Sequence, residues 1–252
     1  MNDSPSEKPE SVRYWALIPC AGRGSRAATA GPKQYEMING RPMVEHTLRA
    51  FAGVQRLAAT LVVLAPEDDA FPVHDDTQLW TARCGGDTRA QSVLNGLNWL
   101  LQNVARESDW VLVHDAARCL ITPEQINRLI DTCAGDAVGG LLSHRLADTL
   151  KQQRAHSDPV RVAATVERGD KWLAQTPQMF RVGALIAALI AALQRMGSGA
   201  TDESAAMEAA GFEPLLVEGG ALNFKLTYPE DFALAQAVLE CRARNRTDKD
   251  TA

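Results

Sequence analysis

The sequence predicts an α/β protein built on a doubly wound, mostly parallel twisted sheet with a protruding β-arm. Three observations carry that prediction. Short, mainly apolar runs, "YWALIP", "ATLVVLAP", "DWVLVHD" and "AVGGLL", are of the kind buried on both faces of a parallel sheet. Segments of helical period lie between them, and the order βαβαβαβ implies double winding. From about residue 145 to 170 the pattern breaks into a polar stretch without helical period.

The elements follow in order. After the first strand, a helix is predicted behind Arg41, with Pro42 at its first position and Met43, Val44, Leu48 and Phe51 facing inward. A second helix begins at Thr88, where T-R-A-Q forms a capping box, and buries Val93, Leu94, Leu97 and Leu101. A third starts at Thr122, again a capping box, with Pro123 at its first position and Ile126, Leu129 and Ile130 inward. The polar excursion holds two short alternating stretches, "DTLKQ" and "RVAATVE", which read as a hairpin arm. Beyond it come a helix at "ALIAALIAALQRM", another at "DESAAMEAAG" closed by Gly211, strands at "PLLVE" and "NFKLT", and a last helix from Pro229. No repeat or low-complexity linker divides the chain. One domain is expected over residues 14–240, with a disordered tail at 1–13 and a frayed one at 241–252.

Composition narrows the function. The chain has 252 residues, 46% hydrophobic and 23% charged, which suits one enzyme-sized domain with a substantial core. A formal net charge of -5 gives no reason to expect nucleic acid or an anionic membrane as partner, so any anion site must be a local cluster of cations. The cysteines Cys20, Cys84, Cys119, Cys133 and Cys241 are odd in number, widely spaced and without C-x-x-C, which indicates neither a disulfide framework nor a zinc site. A reducing cytoplasm fits best. The N-terminal segment lacks the apolar core of a signal peptide, and no apolar run reaches the roughly 18 residues of a membrane span.

In such a sheet ligands sit beyond the carboxyl ends of the strands, and here those loops are polar: "CAGRGSRAATAGPK", "CGGDTRAQS" and "HDAAR". "GRGSRA" formally satisfies the dinucleotide fingerprint. That reading fails, because Gly31-Pro32 interrupts any helix opening there and the acid required about 20 residues on, at the end of the second strand, comes far later in "APEDD". The P-loop fails as well, since Lys33 follows no G-x-x-x-x-G and precedes no Ser or Thr. A glycine loop with Arg23, Arg26 and Lys33 in reach suits a polyphosphate. Spacing alone leaves a solvated basic loop equally open.

The combination of motifs goes further. "PCAGRGSR", "GPKQY", "GGDTRAQSVLNGL", "VLVHDAAR", "ADTLK", "TVER", "AQTPQMF", "TDESAAME" and "NFKLTYPED" occur in register, and from about residue 14 to 240 the chain closely resembles the methylerythritol phosphate cytidylyltransferases of the non-mevalonate isoprenoid pathway. The resemblance implies a Rossmann-like nucleotidyltransferase that moves a cytidylyl group from CTP to 2-C-methyl-D-erythritol 4-phosphate, releases pyrophosphate, requires magnesium, and forms a homodimer by exchanging arms. It places Arg26, Lys33 and Lys225 as the catalytic cations, the first two on the triphosphate and Lys225 near the α-phosphate. Pro19, Cys20, Ala21 and Gly22 would approach base and ribose through backbone, with Gly86, Asp87 and Ser92 completing the cytosine pocket. Asp115 would serve the ribose, the substrate hydroxyls or the metal, which is held mainly through CTP phosphates. Arg118, Thr149, Arg168, Thr176 and Thr201 match second-substrate positions, Thr149 and Arg168 being delivered across the dimer.

Chemistry constrains these roles independently. The attacking phosphate monoester has a second pKa of about 6 and needs no general base at neutral pH, so His114 is not assigned as one. What the reaction lacks is charge compensation. Read by themselves, Lys225 fits an inward strand lysine, "GGD" a plain turn and Asp115 a helix cap. The sequence departs from the family pattern at Cys20, where Ala is usual, and at Cys119, where Pro is usual. A thiol at 20 would be oxidisable if the nearby arginines lowered its pKa, and loss of Pro at 119 frees a φ angle beside Arg118. Two other readings remain: a cytidylyltransferase for another polyol phosphate such as ribitol 5-phosphate, and a silent nucleotide-binding homologue. Thr149, Arg168 and "TDESA" favour methylerythritol phosphate over the first, and retention of Arg26, Lys33, Asp115 and Lys225 argues against the second. No fused cyclase domain is expected after the last helix.

Overall fold

The computed structural model describes residues 11–22, 31–72, 74–156, 158–196 and 201–250. Their centre is strand β1 (Tyr14–Pro19), flanked in parallel by β4 (Leu57–Val63) and β6 (Trp110–Val113). The chain first extends the sheet on one side through β4 to β5 (Leu79–Ala82), then crosses back to β6, so the winding reverses at the β1/β6 crevice. Beyond β6 lie β10 (Trp172–Arg181), β7 (Gly139–Arg145) and β11 (Leu215–Glu218). The sheet has seven strands in the order β11-β7-β10-β6-β1-β4-β5, with β10 antiparallel to both neighbours.

Helices cover both faces because successive strand residues point to opposite sides. Leu17, Leu61, Val63, Val111 and Val113 pack under α2 (Arg89–Asn103) and α4 (Val182–Met196). Ile18, Val62 and Leu112 pack on the other face under α1 (Met43–Ala52) and α3 (Pro123–Cys133). The predicted helix starts are found: Thr88 accepts from Gln91 N, and Thr122 and Gln125 form a reciprocal capping box. Pro42 sits one position earlier than predicted, as the residue capping α1 from extended geometry. α5 (Glu203–Ala209) ends before Gly211, whose φ of +89° needs a residue without Cβ strain. α6 (Pro229–Asp250) continues through the segment read as a frayed tail.

Two predicted features change, and one strand was not predicted. β5 follows β4 with no helix between them, so the repeat is less regular than βαβαβαβ. "NFKLT" is not a strand; its residues run as an irregular segment whose Leu226 N donates to Ala117 O at 2.9 Å. β10 escaped the sequence because "QTP" interrupts its apolar pattern: pairing with β7 shifts register between Ala174 and Gln178, where proline has no N–H to give the ladder. The excursion does contain a two-stranded antiparallel ribbon, β8 (Leu150–Gln153) with β9 (Val162–Val166), separate from the main sheet. Another short ribbon joins β2 (Met37–Ile38) to β3 (Arg41–Pro42).

Asp109 fastens the two central strands at their N-terminal ends. Its buried carboxylate accepts from Arg13 N at 3.0 Å, the Trp15 indole at 3.1 Å and Arg106 N at 3.0 Å, with Arg13 Nε at 3.5 Å. Burial opposes its ionisation, but the hydrogen bonds from Arg13, Trp15 and Arg106 and the Arg13 charge prevail and hold its pKa below the ordinary range. Its stabilisation is therefore fully present above the unfolded value of about 3.9 and is lost as pH falls through the lower folded value. Asp109→Ala is expected to lower unfolding free energy by about 3–5 kcal/mol, read by urea melts at pH 7. A change below about 1 kcal/mol would show that the strands close without this carboxylate.

Candidate active site

Beyond the carboxyl ends of β1, β5 and β6 lies a cavity of about 440 Å³. Its first wall is Pro19 to Gly22, which leaves β1 with Cys20 N donating to Val63 O at 2.8 Å. Gln34 donates from Nε2 to Cys20 O at 2.9 Å and fixes that carbonyl. The second wall is the β5–α2 loop. Gly85 N donates to Leu64 O at 2.8 Å, and a Cβ on Gly85 would stand 2.4 Å from Ala21 Cβ and 2.7 Å from Leu64 O. Only glycine lets the two walls approach this closely. Gly86 and Asp87 line the cavity next, and Ser92 closes the loop by accepting from Gly86 N at 3.1 Å and donating to Thr88 O at 2.9 Å.

The floor carries charge. Asp115, at the end of β6, is 7% exposed and is surrounded by cations: Arg89 Nε at 2.7 Å from Oδ1, Lys225 Nζ at 2.9 Å and Arg118 Nε at 3.7 Å from Oδ2. Burial works against its ionisation, yet Arg89, Lys225 and Arg118 together hold its carboxyl far below the usual carboxylate range. Lys225 is thus an ion-paired residue of an irregular segment, not a strand lysine. Lys33 stands in a 3-10 turn at Lys33–Tyr35 and donates to Leu226 O at 2.7 Å. Both lysines face the cavity.

A second cavity of about 140 Å³ adjoins the first and shares Arg89, Asp115 and Lys225 with it. Arg118, Thr176 and Thr201 line it, together with Asp202 and Gln178. The structure therefore gathers the predicted nucleotide residues in one cavity and these second-substrate residues in its neighbour. Thr149 and Arg168 line neither; both are exposed, next to β8 and β9. Arg26 lies outside the described residues.

His114 is fully buried beneath Asp115, and its hydrogen bonds settle its tautomer. Arg118 O, 3.2 Å from Nε2, can only accept, so Nε2 carries the proton. Nδ1 then accepts from the Thr176 hydroxyl at 3.0 Å, and Thr176 Oγ1 is left to accept from Asp115 N at 3.1 Å. Burial, with the Arg118 charge adding to it, brings the imidazole pKa down to about 3 against the opposing pull of Asp115, so it is neutral at physiological pH. It supports the loop and offers no proton to the cavity.

Both unusual cysteines are buried, and neither is a reactive thiol. Burial, with a smaller contribution from Asp68, pushes Cys20 up to about 12, which reverses the arginine-lowered pKa considered from sequence. Burial likewise raises Cys119 to about 12. The loop beside Cys119 is fixed without proline, because Arg118 N donates to Asp115 O at 3.0 Å and its guanidinium donates to Asn223 O at 2.8 Å and Ala174 O at 3.2 Å.

The donor set does not fit a metal held by the protein. Both Asp115 oxygens are taken by cations, and among the described residues no group of three His, Cys, Asp or Glu converges. Sequence reasoning missed Arg89, Glu203, Gln34 and Asn223. Arg89 was detectable as a cation at the first position of a helix, where the dipole disfavours positive charge. The others carry no local signal, since their roles exist only after the loops assemble.

Comparison with known proteins agrees with this arrangement. Residues 14–241 match the family model described as IspD, 2-C-methyl-D-erythritol 4-phosphate cytidylyltransferase. A Burkholderia cenocepacia protein of that name is 52% identical over 229 residues, covering 90% of this chain and 96% of its own. The bifunctional enzyme IspD/IspF of Albidiferax ferrireducens is 59% identical over 248 residues, 96% of this chain; the match spans 57% of the length of that relative. Among solved structures, a 4-diphosphocytidyl-2C-methyl-D-erythritol synthase superposes with a TM-score of 0.76 at 39% identity, covering 91% of this chain and 99% of its own. The Francisella tularensis cytidylyltransferase gives 0.75 at 30% identity, with coverage of 88% and 98%.

The buried state of Cys20 has a direct readout. In native protein at pH 8, iodoacetamide is expected to label exposed Cys241 and leave Cys20 unmodified, as followed by peptide mass spectrometry. Equal rates at both thiols would place Cys20 on the surface.

Proposed function

The chain belongs to the 2-C-methyl-D-erythritol 4-phosphate cytidylyltransferase family, nucleotidyltransferases of isoprenoid precursor synthesis, and we propose that it transfers CMP from CTP to 2-C-methyl-D-erythritol 4-phosphate, giving 4-diphosphocytidyl-2-C-methyl-D-erythritol and pyrophosphate. The observation that carries this reading is the pair of adjoining cavities with Lys225 and Asp115 at their junction. Two ligands seated side by side would bring a phosphate nucleophile against an α-phosphate there. Cytosine and ribose would lie between the Pro19–Gly22 backbone and Gly86, Asp87 and Ser92, with the triphosphate running toward Lys33 and Arg26.

The nucleophile is ionised before it binds, so the protein's task is orientation and charge. In-line attack forms a P–O bond from the substrate phosphate to the α-phosphorus and breaks the bond to pyrophosphate, whose departing charge Arg26 and Lys33 would meet. Lys225 would meet the charge developing on the α-phosphate. Magnesium would enter as the CTP complex, held by phosphate oxygens. Thr149 and Arg168 reach the site, in this proposal, from the arm of a second subunit in a homodimer, which accounts for their distance from both cavities. No described helix is long and apolar enough to cross a membrane, and a cytoplasmic enzyme is proposed.

The first test is pyrophosphate release from CTP and magnesium, with methylerythritol phosphate and ribitol 5-phosphate supplied separately. Release with the first alone is expected; release with ribitol phosphate alone would reassign the substrate, and release with neither despite CTP binding would mark a silent homologue. Lys225→Met is expected to lower kcat by about 10²–10³-fold. The acid limb of kcat/KM should fall near pH 6, where the substrate phosphate gains its proton, and should persist in His114→Gln. Loss of that limb in the variant would identify His114 as the titrating group. Arg168→Ala and Lys33→Ala subunits, inactive alone, should regain activity when mixed if arms are exchanged.

A further inference from the structure

Arg89 faces both cavities, and its guanidinium is committed to two carboxylates. Nε meets Asp115 Oδ1 at 2.7 Å, while the terminal nitrogens meet Glu203 Oε1 at 2.7 Å and Oε2 at 3.1 Å. Glu203 is fully buried and opens α5 directly after Thr201 and Asp202, which line the smaller cavity. Asp202 caps the same helix on Ala205 N at 2.9 Å and accepts from Gln178 Nε2 at 3.0 Å; Gln178 in turn accepts from Ser204 N at 2.7 Å. The wall of the smaller cavity is therefore tied to α2 and to the end of β6 through one planar group.

We infer that Arg89 is a positioning residue that sets the second-substrate pocket by holding Thr201–Glu203 and the Asp115 carboxylate at a fixed separation. The inference rests on the reading of the adjoining cavities as donor and acceptor sites. A flexible lysine ammonium cannot replace the fork, because three separate hydrogen bonds to two carboxylates need a planar donor array. Charge works in the same direction. Arg89, Arg118 and Lys225 face Asp115 and Glu203, with Asp202 also lining the smaller cavity, so three cations balance three carboxylates at the junction. Without Arg89 the carboxylates would outnumber the cations where a phosphate must enter, and buried Glu203 would lose the cation that pairs with it.

A purely structural ion pair makes a different prediction, since an apolar pair of similar volume replaces such a bridge without loss of stability. The test is the double variant Arg89→Met with Glu203→Met, which leaves no unpaired charge, alongside Arg89→Lys, which keeps charge but not the fork. In the double variant the KM for CTP is expected to stay within about threefold, while the KM for methylerythritol phosphate rises at least about tenfold and kcat falls. Arg89→Lys should show the same split more weakly. Wild-type values for both substrates in the double variant would overturn the inference, as would equal loss for CTP and acceptor. Failure of the underlying activity would appear instead as wild-type protein that releases no pyrophosphate with any polyol phosphate. In that event hydrogen exchange decides: amides 201–205 should exchange faster in the double variant than in wild type, and unchanged protection there overturns the positioning role.

Discussion

The candidate site depends on a single buried carboxylate held ionised. Asp115 sits where burial alone would favour a neutral acid, and Arg89, Lys225 and Arg118 reverse that preference. Each of these cations comes from a different part of the chain: the start of α2, the irregular segment before α6, and the loop after β6 itself. The carboxylate consequently acts as the point at which those segments meet. Were it neutral, three cations would face one another across a small volume with only Glu203 and Asp202 to offset them.

The same arrangement explains why the buried histidine beneath Asp115 is structural. A protonated His114 would add a fourth cation beneath Asp115, and burial makes that unfavourable. Neutral, it links Arg118 O to the Thr176 hydroxyl and thereby aligns the backbone N–H of Asp115. Thr176 reaches that position because β10 leaves its ladder between Ala174 and Gln178. An irregularity that weakens the sheet locally thus supplies a hydrogen-bonding group to the site, as bulges near functional sites often do.

Much of this was legible in the sequence where the signal is local. The Thr122 capping box, Gly211 after α5, and the apolar strands each follow from contacts within a few residues, and each is found. The β10 strand was hidden because Gln175 and Thr176 bond to Gly220, His114 and Asp115 where the ladder to β7 is interrupted, and "NFKLT" was misread because Lys225 and Leu226 answer to Asp115, Lys33 and Ala117 rather than to a neighbouring strand. In both segments tertiary contacts override local pattern, and both lie at the site. Arg89 shows the converse: a cation at a helix start violates local electrostatics, and the violation marks a residue whose partners are distant.

The two unusual cysteines show how much of the site is set by backbone rather than side chain. Cys20 stands in the wall that would approach the nucleotide, yet it is buried in the core cluster that includes Ile18, Leu64 and Ala116, and its amide and carbonyl are held by Val63 and Gln34. Alanine and cysteine present the same N–H and C=O there, so the exchange leaves the wall intact. At 119 the missing proline removes a local restraint, but Arg118 is fixed by its amide and by both ends of its guanidinium, and the Cys119 side chain packs with Met43, Leu120 and Leu226. Restraint at this loop comes from contacts across the fold instead of a fixed φ. A loop secured in that way depends on Asn223 and Ala174 staying in place, so the geometry at the β6 end is inherited from β10 and from the segment before α6.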